Sequence, residues 1–190
     1  MVPVLAREDW IRAALEALAE HGAEAVAVEP LARKLKVTKG SFYWHFRDRS
    51  ELLSATLDAW EEIGTAELER ELALLPDPRQ QLRHFFARAL EQPLREQRMR
   101  LEVSIAAAAP HDPEVARALA RVSERRLNGF VAIYRRMGLR PASAQHWGAL
   151  AFATSLGLFQ VVRTLPKHFD SDRVRSAQLD LLLAQLTPDR

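Results

Sequence analysis

The stretch Leu31–Leu53, LARKLKVTKGSFYWHFRDRSELL, holds two short helical patterns joined by three residues. Pro30 opens the first pattern, since proline is tolerated in a first turn. The pattern runs through Leu31, Ala32 and Leu35. Thr38 is placed to cap the second, which carries Phe42 and Phe46. Helices near Glu29–Leu35 and Lys39–His45, joined by Lys36-Val37-Thr38, have helix-turn-helix spacing. Leu31, Ala32, Leu35, Val37, Phe42 and Phe46 are the expected small core that fixes their crossing. In such a motif the second helix enters the major groove of DNA by its N-terminal part, and the first crosses the backbone.

Charge agrees with that spacing. From Leu31 to Ser50 six basic residues (Arg33, Lys34, Lys36, Lys39, Arg47, Arg49) face one acidic residue, Asp48, a local balance of +5. The whole chain of 190 residues carries only +2, so the remainder sums to −3. A basic stripe on helices is the footprint expected for a polyanion. The cap hydroxyl of Thr38 and the amides at the start of the second helix suit phosphate. Gly40, without a Cβ, lets a DNA backbone approach. Tyr43 and Trp44 suit thymine methyls, sugars and phosphates. His45 has two readings, a phosphate contact or a local structural hydrogen bond. Phe42 and Phe46, four apart, belong to the core.

Outward from this stretch the chain reads as helix after helix. Ile11, Ala14, Leu15 and Leu18 share a face, and Gly22 is a stop. Asp48 and Glu51 have capping-box spacing before a fourth helix from Arg49 to about Leu74. Prolines divide the rest. A fifth helix has Leu82, Phe86 and Ala89 inward, and a sixth spans about Arg98 to Ala108. A seventh has the stripe Ala116, Leu119, Ala120, Ser123, Leu127, Phe130, Tyr134 and Met137. An eighth lies between Pro141 and Pro166, and a ninth runs from about Asp172 to Leu186. No sustained period-2 run and no Asn-Gly or Asp-Gly hairpin signal appears. The expected fold is all-α, with about nine helices.

Composition excludes several classes. There is no cysteine, hence no disulfide framework, thiolate metal site or cysteine nucleophile. No HExxH pair, phosphate loop or dinucleotide fingerprint is present, so an enzyme reading has little support and no cofactor or metal is expected. Met1-Val2-Pro3-Val4-Leu5 reaches charge too soon for a secretory signal. Pro141–Val162 has 22 residues without formal charge but too many polar groups for a lipid-facing span. A cytoplasmic protein is expected.

Leu31–Leu53 resembles the DNA-binding domain of the tetracycline-repressor-like (TetR) family. The features that carry the resemblance are the leucine-alanine pair, the turn, the threonine, the Tyr43-Trp44 pair, His45-Phe46 and the basic start of the fourth helix. It covers about the first 60 residues. It implies a three-helix DNA-binding domain over residues 1–50 and a helical effector-binding and dimerisation domain over 51–190. It places Thr38, Lys39, Ser41, Tyr43, Trp44 and His45 on the recognition helix and its cap, beside the Gly40 already named. It puts Arg49 on a backbone phosphate, where the family usually has lysine. Lys36 departs from the usual glycine, and a positive φ there would carry modest strain.

The resemblance also implies a homodimer, with two recognition helices on a pseudo-palindromic operator, and release by a small-molecule effector. The eighth and ninth helices are apolar on more than one face, as an interface requires. Ala149, Ala153 and Gly157, four apart, allow close helix approach, and Val161, Leu179, Leu182 and Leu183 complete the expected interface. Burial within one subunit is the alternative for these faces. Phe86, Met99, Ile105, Phe130, Tyr134, Trp147 and Phe152 are candidates for the pocket. Tyr134 is its best polar group, because a buried phenol needs a partner. The arginines from Arg95 to Arg100 read as a solvated face balanced by Glu91, Glu96 and Glu102, or as a second anion site. A DNA-architectural protein without effector is a third function; it would show a steep salt slope and little sequence preference.

Overall fold

The computed structural model describes residues 5–90 and 95–188. Among them there are nine helices and no strand. They are α1 (Arg7–His21), α2 (Val28–Leu35), α3 (Lys39–Tyr43), α4, α5 (Pro78–Leu90), α6 (Arg95–Ala108), α7 (Pro113–Arg136), α8 (Pro141–Thr164) and α9 (Asp172–Leu186). α4 runs over Arg49–Glu61, passes through a π turn at Glu62–Ala66 and continues over Glu67–Ala73. No described helix is long and apolar enough to cross a membrane. Residues 1–4, and the side chains at Glu91, Arg95, Glu96 and Arg98 on which the second-anion-site expectation rests, lie outside the described residues.

Two compact units share the chain. The first is the chain up to Gly64 with Gln97–Val122; the second is Thr65–Glu96 with Ser123 onward. The first unit's core joins Trp10, Leu18, Leu31, Phe42, Phe46, Leu57 and Trp60 to Leu101 and Ile105 of α6 and to Val115, Ala118 and Val122 of α7. Polar contacts tie the same elements. The Trp60 indole N–H donates to Glu102, Ser50 Oγ donates to Glu114 (2.9 Å), and Arg121 pairs with Asp58 and Glu61. The head is therefore larger than its three N-terminal helices. Trp10 meets Phe42 edge-on at 5.4 Å, while its indole N–H has no partner among the described residues.

The second unit packs Leu82, Phe86 and Leu90 of α5 with Phe130, Ile133 and Tyr134 of α7 and with Ala144, Ala151, Leu158 and Val162 of α8. α8 approaches α7 closely at Gly148, where a Cβ would lie 2.6 Å from Val131 Cγ2 and 2.9 Å from its backbone nitrogen. Gln81 is buried; its amide donates to the carbonyls of Leu72 and Leu75 at 2.7 Å each, and it accepts from Arg136. Arg125 pairs with Glu69, and Glu71 receives His84 and Arg88. That carboxyl is held below its ordinary range, first by the His84 hydrogen bond and then by Arg88.

The expected stripe on α7 needs correction in its first half. Ala120 is exposed, and the residues facing inward are Val115, Ala118 and Val122. They stand at i, i+3 and i+7, one residue out of step with the expected set. Small alanines on both faces leave the register open in the sequence, and the first unit's shared core, which also holds Leu57 and Trp60, selects one.

Candidate nucleic-acid interface

α3 is anchored from beneath. Phe42 and Phe46 are buried and stacked at 5.4 Å, and Arg7 lies over the Phe46 ring at 4.6 Å. With these two rings inward, Tyr43 and Trp44 must point out, and they are 62% and 88% exposed. Leu31 and Ala32 are buried, and Leu35 and Val37 pack partly buried on the same core.

The turn takes its shape from Lys36, which caps α2 at φ 57° and ψ 40°. It is the one non-glycine residue with positive φ among the described residues. Its N–H donates to the Arg33 carbonyl (3.2 Å) and that of Val37 to Ala32 (3.0 Å), so two carbonyls at the end of α2 are satisfied.

Thr38 stands at the N-cap of α3, but its hydroxyl makes no cap hydrogen bond. The Ser41 amide donates to the Thr38 carbonyl instead (3.1 Å). Thr38, Lys39 and Gly40 are exposed, and Ser41 and His45 are half-buried. Lys39 donates to Glu29 in the first turn of α2. Asp48 does cap α4, accepting from the Glu51 amide at 2.9 Å. Glu51 reaches back to the amide of Arg47 (2.9 Å), one residue before the position a capping box requires.

Arg49 is not simply an open cation at the start of α4. Its Nε donates to the Val26 carbonyl and its Nη2 to the Ala23 carbonyl, both at 2.7 Å. It ties the loop after α1 to α4 and has donors left for a phosphate. The basic stripe is partly compensated in space: Lys34 pairs with Glu16 at 2.9 Å, Lys39 with Glu29 and Arg47 with Glu51. None of these carboxylates falls within Leu31–Ser50, so the local count could not include them. Arg33 and Lys36 are exposed beside them.

The expected pocket residues divide. Phe86, Phe130, Tyr134, Trp147 and Phe152 gather in the second unit, with Phe85 and Phe130 at 4.6 Å between ring centroids. Ile105 is buried in the first unit's core, and Met99 is a half-buried residue of that unit's α6. The Tyr134 hydroxyl donates to the Leu186 carbonyl at 2.7 Å, so its partner is the end of α9, and burial pushes its pKa up to about 12.

On α8, Ala149, Ala153, Gly157 and Val161 are exposed, as are Leu150 and Leu156. On α9 the expected set needs correction. Leu179 is buried in its own unit, and Leu182 and Leu183 pack on the same core. The open apolar residues of α9 are Val174, Ala177 and Leu181, the apolar residues that stand beside the leucine set in the sequence.

The family model for bacterial regulatory proteins, tetR family, matches residues 11–56, the span from α1 into α4 that holds this motif. Over that span the chain is similar to the DNA-binding part of that family. It is 33% identical over 103 residues to the HTH-type transcriptional regulator AcrR of Shigella flexneri, covering 52% of this chain and 46% of that protein. It is 42% identical over 55 residues to the tetracycline repressor protein class C of Escherichia coli, covering 29% and 25%. These matches span less than half the length of either relative. A transcriptional regulator of Rhodococcus shares the fold over 96% of both chains, with a TM-score of 0.73 and 20% identity.

Proposed function

We propose that this chain is a sequence-specific DNA-binding transcriptional regulator of the TetR family, a repressor that binds a pseudo-palindromic operator as a homodimer and is released by a small molecule. The observation that carries the proposal is the exposure of Tyr43 and Trp44 at the end of a short helix anchored by the buried rings of Phe42 and Phe46. Large aromatic side chains left in water on a basic surface have no folding reason to be there, and they have a use against sugars, bases and methyl groups. The names of AcrR and the class C tetracycline repressor support the regulatory reading.

In this reading residues 1–50 read DNA, and residues 51–190 hold the effector and the dimer contacts. The exposed apolar face of α8 and α9 supports association with a second copy, and two-fold pairing presents two α3 helices to an inverted repeat. The ring cluster of Phe85, Phe86, Phe130, Trp147 and Phe152 supports an apolar effector. Effector binding releases DNA only if it favours one of two spacings of the recognition helices.

The test is selection of bound duplexes from random DNA by purified protein at about 150 mM salt. One inverted repeat should emerge, and it should be lost with Trp44→Ala. A dimeric protein that enriches no sequence overturns the proposal.

A further inference from the structure

Glu29 is out of place on a surface meant for a polyanion. It lies in the first turn of α2, exposed, and its Oε1 accepts from Nζ of Lys39 at the start of α3. Arg33 adds a weaker attraction, and together they hold the Glu29 carboxyl below its ordinary range, with Lys39 the main cause. Both partners of the pair are more than half exposed, at 58% and 62%. A pair this open contributes little to folding. Its effect on a polyanion is larger. The carboxylate repels phosphate and neutralises the lysine nearest the start of the recognition helix.

We propose that Glu29 is a specificity-determining residue for DNA: it withholds Lys39 from phosphates of arbitrary sequence. The inference rests on the DNA-binding reading above. A carboxylate beside an ammonium is compatible with a groove edge that offers an amine donor next to an acceptor. Bare phosphate offers only acceptors, so it must break the pair and face the free carboxylate. Sequences with the matching base edge keep both partners satisfied, and all others are penalised.

The experiment compares the full chain with Glu29→Gln, Lys39→Gln and the double variant. The readouts are affinity for a random duplex at several salt concentrations and repeat selection from random DNA. Glu29→Gln should bind random duplex about fivefold more tightly per head near 150 mM salt, with a salt slope steeper by about 0.9 per head. The selected site should lose its preference at one base pair in each half-site. The double variant should show neither gain. Unchanged slope and site preference in Glu29→Gln would overturn the inference and leave the DNA reading intact. An equal gain when Lys39 is already glutamine would also overturn it, since the effect would then be the general field. If the original chain selects no sequence, the DNA reading fails and this inference with it. Circular dichroism of each variant separates these outcomes from misfolding.

Discussion

α3 and α8 both leave apolar side chains in water, and their surroundings suit those side chains to different partners. At α3 the exposed groups are Tyr43 and, just past its end, Trp44, with Lys39 in its first turn and Arg33 and Lys36 in the segment before it. On α8 they are Leu150, Leu156 and Val161, in a helix without a formal charge from Pro141 to Val162. An aromatic ring among cations suits a nucleic acid, which offers stacking faces and phosphate together. An aliphatic face without charge suits another aliphatic face. The two helices also differ in how they are held. α3 is five residues long and fixed by two rings, whereas the buried positions of α8 recur along 24 residues. A short helix on a ring anchor presents its side chains in one orientation; a long helix presents area.

The sharpest break of this comparison is Trp44→Ala. It should lower affinity for the selected operator about thirtyfold or more, since each of two heads loses a contact worth about 1–3 kcal/mol. The thermal midpoint should stay within about 1 °C, because a surface residue is removed. Loss of stability with unchanged binding would reverse the roles given to the rings. Leu156→Glu is the matching change on α8. At 51% exposure the site tolerates a charge in the monomer, so sedimentation should find dimer for the original chain and folded monomer for the variant. A dimer that survives both this change and Leu181→Glu would move the interface elsewhere.

Three smaller effects sharpen the contrast between anchors. Gly148→Ala should lower stability by about 1–3 kcal/mol in urea unfolding, because the new methyl meets the Val131 backbone at 2.9 Å. Tyr134→Phe should lower it by about 1–2 kcal/mol, because the buried Leu186 carbonyl loses its donor. The same phenol adds a pH term. Its folded pKa of about 12 stands above the ordinary 10, so the unfolded chain gives up the proton first. Stability should fall as pH rises from 10 to 12, and Tyr134→Phe should flatten that part of the profile. Lys36→Gly is the smallest change and the one of opposite sign. Relief of the left-handed backbone at φ 57° should stabilise the head by up to about 1 kcal/mol. No gain would mean that the lysine side chain contributes to the turn.

Legibility followed sequence distance. Phe42 and Phe46, one helical turn apart, declare a buried face that any correct packing must respect. Asp48 declares the start of α4 because its partner is the amide of Glu51, three residues on. Lys36 is legible as the place of strain only through the resemblance, since it stands where that family commonly has glycine, and its φ is 57°. Arg49 was only half legible: its two carbonyl partners lie 23 and 26 residues back, on a loop whose course nothing local fixes. Leu179 and Leu181 look alike in sequence, yet one is buried and the other is 56% exposed. Two residues along a helix is about half a turn, and which half faces the core is decided by α5 and α7.

By itself the sequence determined an all-α chain, the helix-turn-helix and its ring anchor, and the excess of apolar surface on the last two long helices. These rest on periodicity and caps, which act over three or four residues. Only the tertiary structure decided that α6 and the first half of α7 share a core with the head, that Glu16, Glu29 and Glu51 temper the basic stripe, and that the Tyr134 phenol closes on α9. Those facts depend on groups brought together from distant parts of the chain. Such pairings are selected by packing and by the need to satisfy each buried donor, and no local pattern encodes the partner.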